Sequence, residues 1–219
     1  VNNIGYAAFQ DCKNLEEIHL AKEELTVEDY AFNGCEQLNF ICKGEKNKIT
    51  LGGKTIGEGT FNKCGKLEIV QAFNVDEIQT AAFQECKELR KIYLSKEKLK
   101  VKDYAFNGCK KLNFFCRDEK NKLKLSEKEI YKNSFTHCEK LEIVEAPQAT
   151  CIEVSAFKNC EGLKKIYLSD KELEVQESAF NGCMQLEFNC GETKNKVKLI
   201  GSKILKCSFF HCQKLEIVE

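Results

Sequence analysis

Cysteine offers more chemistry than any other residue type in this chain of 219 residues, which holds 14 cysteines against three histidines. A thiolate can attack a carbonyl, bind a soft metal or enter a disulfide, and each use needs particular neighbours. Nine cysteines form one series: Cys12, Cys35, Cys64, Cys86, Cys109, Cys138, Cys160, Cys183 and Cys212. Cys42, Cys116 and Cys190 form a second, at steps of 74 residues, while Cys151 and Cys207 stand alone. The favoured reading is a ladder of buried thiols, because free cysteine packs as a small hydrophobe. Disulfides between neighbouring members remain open by spacing, although thiols pointing inward in parallel suit bridging poorly. Zinc is disfavoured, since the chain has no C-x-x-C pair. No metal and no cofactor is expected. His137 and His211 precede Cys138 and Cys212, so a Cys–His dyad is conceivable. The other seven equivalent places hold Asp, Glu, Asn, Lys or Gly, and neighbours on a tight turn tend to point apart. The histidines are therefore read as surface residues. With no G-x-S-x-G, no H-E-x-x-H and no phosphate-cradling glycine loop, an enzyme is not expected.

The elements that place the cysteines repeat nine times. Each unit reads as an apolar residue, three variable residues, a small residue, Phe, two variable, Cys, two variable, Leu. The phenylalanines are Phe9, Phe32, Phe61, Phe83, Phe106, Phe135, Phe157, Phe180 and Phe209. Successive units step by 23, 29 and 22 residues, which together make 74. Three super-repeats follow, about 1–74, 75–148 and 149–219. Phe, Cys and Leu spaced by three predict one face of a compact helical turn. Beyond Leu15 the alternation of Ile18, His19 and Leu20 predicts a short strand. One such unit cannot bury its Phe and Leu, whereas stacked units share a continuous core. The expectation is a single solenoid over 1–219, a curved right-handed superhelix of about nine strand/helical-turn coils in three super-repeats. Neither end shows a polar capping repeat, so an array that continues further, or end-to-end self-association, is expected.

Composition narrows the function. Lys+Arg and Asp+Glu are both 34, which argues against nucleic acid held by bulk charge. Hydrophobic residues at 42% exclude wholesale disorder. No apolar run approaches the length of a membrane span, and no signal segment is visible.

The pattern AFxxCxxLxxIxL, as in residues 8–20, resembles the BspA-like leucine-rich repeat family over essentially the whole chain. The family commonly places Pro after the strand's last apolar residue; here Ala21, Ser95 and Ser169 stand there, and Pro147 keeps it. Gly after the leading Ile is kept at Gly5 and Gly57. The resemblance implies a cell-surface or secreted protein that binds other proteins, host matrix proteins among them, and brings no catalytic residues with it.

Two surfaces are candidates for contact. The middle coil of each super-repeat carries an insert near residues 42–48, 116–122 and 190–196, read as strand, turn, strand bulging from the wall. Lys-Asn-Lys recurs there, giving Lys46, Lys48, Lys120, Lys122, Lys194 and Lys196. Three basic tips about 15 Å apart could touch an acidic glycan or protein, but Glu45, Glu119 and Glu192 weaken the field and a solvated turn is the plainer reading. The second surface is the strand face, by analogy the concave side of leucine-rich solenoids. Its outward positions include His19, Tyr93 and Tyr167 on equivalent coils, with Ile69 and Ile143, and Phe115 beside them. A one-residue error of register would turn these inward. An apolar, aromatic stripe suggests a protein ligand. The reading is a non-enzymatic binding or adhesion module; the alternatives are a passive spacer and an intracellular scaffold, the last supported by unpaired cysteine.

Overall fold

A computed structural model describes residues 3–20, 24–95, 98–117, 119–200 and 204–219. Ala21, residues 1–2 ahead of the first repeat, and residue 118 of the second insert lie outside the described residues.

The nine phenylalanines line up in one file. Neighbouring rings stack with centroids 5.3–5.6 Å apart and planes within 3–8° wherever the step between coils is short. The seven interior rings are fully buried. Each contributes about 1.5–3 kcal/mol of hydrophobic stabilisation, and each depends on the coil above and the coil below for its cover.

The segment around each phenylalanine is not the compact helical turn expected from its spacing; no described residue is helical. It is a run of tight turns, and the reason is in the backbone. The residues two before and two after every phenylalanine have positive φ, Ala7 and Asp11 in the first coil, Tyr104 and Gly108 in the fifth, Cys207 and His211 in the ninth. Left-handed residues cannot propagate a right-handed helix. They flip alternate peptide groups, so the donors split into two sets. Ala8, Gln10 and Cys12 donate within their own turn, to Gly5, Ala7 and Phe9. Ala7, Phe9 and Asp11 donate to the next coil, to the carbonyls of Asp29, Ala31 and Asn33 at 2.7–3.0 Å. The corner thus carries an inter-coil ladder of its own, and its buried amides are satisfied.

The cysteine series completes this corner. Each thiol from Cys35 to Cys212 donates to the phenylalanine carbonyl of the preceding coil, as Cys86 does to Phe61 and Cys160 to Phe135, both at 3.0 Å. All 14 cysteines carry free thiols. A small, apolar side chain with one weak donor fits a slot that borders a carbonyl.

After the leucine the chain extends into the strand wall. Its strands pair in parallel with inward residues in register: Val70, Ile92 and Phe114 lie side by side, as do Val144, Ile166 and Phe188. The leading Ile or Val of each coil forms shorter parallel ladders on another side, such as Thr55–Ile56, Glu77–Ile78 and Lys100–Val101.

The inserts do more than bulge. After Asn39–Cys42 the chain turns at Lys43 and Gly44, both at positive φ as a type I′ turn requires. Glu45–Lys46 returns antiparallel, and Lys48–Leu51 then joins the wall against Ile69–Ala72. Asn47 makes the splice: its amide donates to the Phe40 carbonyl, its Oδ1 accepts from the Phe40 amide, and its own carbonyl accepts from Glu68 and Ile69. Asn121 and Asn195 repeat the arrangement with Phe114 and Phe188. The long coil therefore contributes two rungs, with Phe40 and Ile49 both buried, and the described wall has twelve rungs against nine in the ring file. Phe40 sets its edge against Phe32 and Phe61, at 5.1 and 6.1 Å, and the stack between those two opens to 5.9 Å and 15°.

Candidate functional site

Alternation along the wall leaves two lateral rows facing outward. One row runs through Lys48, Ile69, Lys91 and Asn113, and again through Lys122, Ile143, Lys165 and Glu187. The other runs through Thr50, Gln71, Tyr93 and Phe115, and again through Lys124, Glu145, Tyr167 and Asn189. The register places Ile69 and Ile143 in the first row and Tyr93, Phe115 and Tyr167 in the second. His19 lies in the second row beside Ile41, exposed, with its Nε2 3.4 Å from Glu17.

These residues do not form one continuous stripe. Tyr93 and Phe115 stack at 4.9 Å and 22°, and Phe73 meets Tyr93 at 6.5 Å and 50°. Phe73 is 44% exposed. Tyr167 sits between Glu145 and Asn189, and no described aromatic ring stacks on it. The structure therefore gathers Phe73, Tyr93 and Phe115 and leaves His19 and Tyr167 apart. Phe73 was not picked out by alternation, because it follows the strand. Its signal was available: it stands 74 residues before Pro147, at the place the repeat gives to proline.

The lysines of the inserts are largely matched by acids. Lys48 lies 2.8 Å from Glu45, Lys122 lies 2.7 Å from both Glu119 and Glu145, Lys194 lies 3.3 Å from Glu187, and Lys196 lies 2.7 Å from Glu219. The hydrogen bonds it donates to the Glu119 and Glu145 carboxylates push the Lys122 ammonium up to about 12. Lys46 and Lys120 lie exposed on the hairpins. Three uncompensated positive tips, as a polyanion would need, are not what the geometry presents.

The buried cysteines of the ladder offer little reactivity. Burial, above all, pushes the Cys35 thiol up to about 11 and the Cys212 thiol up to about 12, and Cys138 well above its ordinary value. Cys138 donates to the Phe106 carbonyl at 3.5 Å, which points its sulfur into the core, while His137 sits at a left-handed corner with φ 62°. A neutral thiol held as a donor is no nucleophile. Among the described residues no three His, Cys, Asp or Glu side chains gather as a metal site would require. Among them, too, no helix is long and apolar enough to cross a membrane.

A surface of this kind can do one thing well: present rigid side chains at fixed spacing to another molecule. The family model agrees with a repeat scaffold. The model of the BspA type leucine rich repeat region, in six copies, matches residues 2–128 and 128–219. No curated protein matches the chain. A leucine rich cell surface protein from Faecalibacterium prausnitzii A2-165 is 20% identical in sequence, with a TM-score of 0.46, covering 100% of this chain and 69% of that one. A leucine-rich repeat protein from Bacteroides ovatus ATCC 8483 is 18% identical, with a TM-score of 0.42, covering 100% of this chain and 82% of that one.

Proposed function

Because the chain belongs to the BspA-type leucine-rich repeat family, we propose that it is a non-enzymatic protein-binding module that acts through the outward face of its strand wall. The observation that carries this reading is the aromatic cluster of Phe73 and Phe115 joined through Tyr93 on the outward face. Aromatic anchors on a rigid frame lose little entropy on binding and dominate interface energies. Adhesion at a cell surface, or secretion, with an extracellular protein as ligand, is the setting the family expectation gives. Residues 1–219 act in this reading as one solenoid.

The test is binding of purified matrix and cell-surface proteins to the immobilised chain, repeated with Tyr93→Ala/Phe115→Ala and with Tyr167→Ala. The double variant is expected to weaken the captured partner at least tenfold, by about 1.4 kcal/mol or more, and Tyr167→Ala to leave it unchanged. Equal affinity of the double variant and the parent chain would refute the reading. A second reading, an intracellular interaction scaffold, draws on the 14 free thiols. Locating the protein in its cell by fractionation decides between the two.

A further inference from the structure

Beside the aromatic cluster, the first insert and the wall enclose a hollow of about 380 Å³, lined by Glu24, Lys43, Lys48, Thr50, Gln71 and Phe73 among others. Its floor is a neutral pair: the Thr50 hydroxyl donates to Gln71 Oε1 at 2.9 Å, which leaves the Gln71 amide hydrogens for another acceptor. Its side is the ring of Phe73. Tyr93 meets that ring tilted and 6.5 Å away, so a face is not used up by stacking. The Ser95 hydroxyl, donating to the Phe73 carbonyl, ties the ring's backbone to the next coil. Among the described residues the charges of the lining cancel, with Glu24 and Glu45 against Lys43 and Lys48.

The second super-repeat has the same insert and lacks these features. Lys124 and Glu145 replace Thr50 and Gln71 and pair at 3.5 Å, and Pro147 replaces Phe73. The uncharged floor and the exposed ring thus occur together, and the repeat alone does not impose them.

We propose that this hollow binds an uncharged sugar ring of a glycan. The apolar C–H face of a pyranose carries slight positive charge and suits the electron-rich face of Phe73. The sugar's hydroxyls, each donor and acceptor, suit an amide, a hydroxyl and charged side chains placed around one side. A charged ligand gains nothing from a lining whose own charges cancel. The volume lies within the range of small-ligand sites. The site meets the proposed protein contact at Phe73 and extends away from Tyr93 and Phe115, which do not line it.

The experiment is a titration of the full chain with lactose, cellobiose and chitobiose, followed by amide NMR shifts. Sialyllactose, a sulfated disaccharide and an unglycosylated hydrophobic peptide serve as comparators. A neutral disaccharide is expected to shift the Gln71 side-chain amide and the Thr50 and Phe73 amides in a saturable way. Phe73→Ala is expected to weaken it roughly tenfold, Phe73→Tyr to keep it, and Tyr93→Ala to leave it unchanged. Phe73 is exposed, so its loss leaves the core intact. Absence of saturable shifts with all three neutral sugars would overturn the proposal. So would tighter binding of a charged sugar or of the peptide in the hollow, or undiminished affinity in Phe73→Ala. Loss of protein binding in Tyr93→Ala/Phe115→Ala with sugar binding intact would separate the two sites.

Discussion

Asn121 is a residue whose replacement reads out the splice between two strands of one coil. It is 3% exposed, sits at φ 55° and, besides a carbonyl that accepts from the Glu142 and Ile143 amides, holds four bonds. Its backbone amide donates to the Phe114 carbonyl at 2.7 Å; its Oδ1 accepts from the Phe114 amide at 3.1 Å; its Nδ2 donates to Asn113 Oδ1 and Glu142 Oε1, both at 3.3 Å. Alanine removes the side-chain partner of a buried amide, at a cost of about 1–3 kcal/mol. It also places a Cβ-bearing residue without local hydrogen bonding in the left-handed region, at a cost of about 1–2 kcal/mol. Asn121→Ala is therefore expected to destabilise by about 2–5 kcal/mol. Asn121→Gly loses the same hydrogen bond and is free of the backbone penalty, so it is expected to be milder by about 1 kcal/mol. The assay is urea unfolding of the full chain, with hydrogen exchange at Phe114 to localise the effect. If glycine proved as costly as alanine, the strain argument would fall. If both matched the parent within about 0.5 kcal/mol, the splice would not be what holds the extra rung.

Further predictions follow from the corner. Burial is the main reason the Cys35 and Cys116 thiols are pushed up to about 11, while thiols of an unfolded chain ionise near pH ~8.5. The folded values are the raised ones, so this contribution to stability is whole below about pH 8.5 and is lost as pH climbs through 9 toward 11. The urea midpoint is expected to fall between about pH 8 and 10 less steeply in Cys35→Ala/Cys116→Ala than in the parent, and identical slopes would contradict it. In thiol labelling at neutral pH, the half-buried Cys12, Cys116, Cys151 and Cys207 should react before the buried ladder, with all 14 reacting once urea unfolds the chain. In Gly162→Ala the new Cβ would lie 2.2 Å from the Glu139 carbonyl oxygen, so a loss of about 1–3 kcal/mol is expected by thermal melting. Gly44→Ala, with open space around it, should cost less despite its positive φ.

Much of this protein is legible in one dimension because each coil meets only its neighbours. The series of Phe9, Cys12 and Leu15 and their eight counterparts names the core, since a solenoid buries the same positions in every turn. The alternation of Ile18, His19 and Leu20 likewise fixes which wall residues face outward. Spacing by three did not reveal the form of the corner. A helical turn and a chain of turns put Phe, Cys and Leu on one face equally well, and only the left-handed φ at residues such as Asp11 and Glu85 separates them. The cysteine's second duty, a bond to the carbonyl one coil back, is likewise invisible until coils are stacked.

The amino-acid sequence by itself determined the number of coils, the buried file and the outward rows, because those depend on period and polarity along the chain. Tertiary structure alone decided that the inserts enter the wall as extra rungs, that their lysines meet acids from neighbouring rungs, and that Phe73 joins Tyr93 and Phe115 while Tyr167 stands apart. Those outcomes turn on which rung lies beside which, and lateral register is set by hydrogen bonds between segments far apart in the chain.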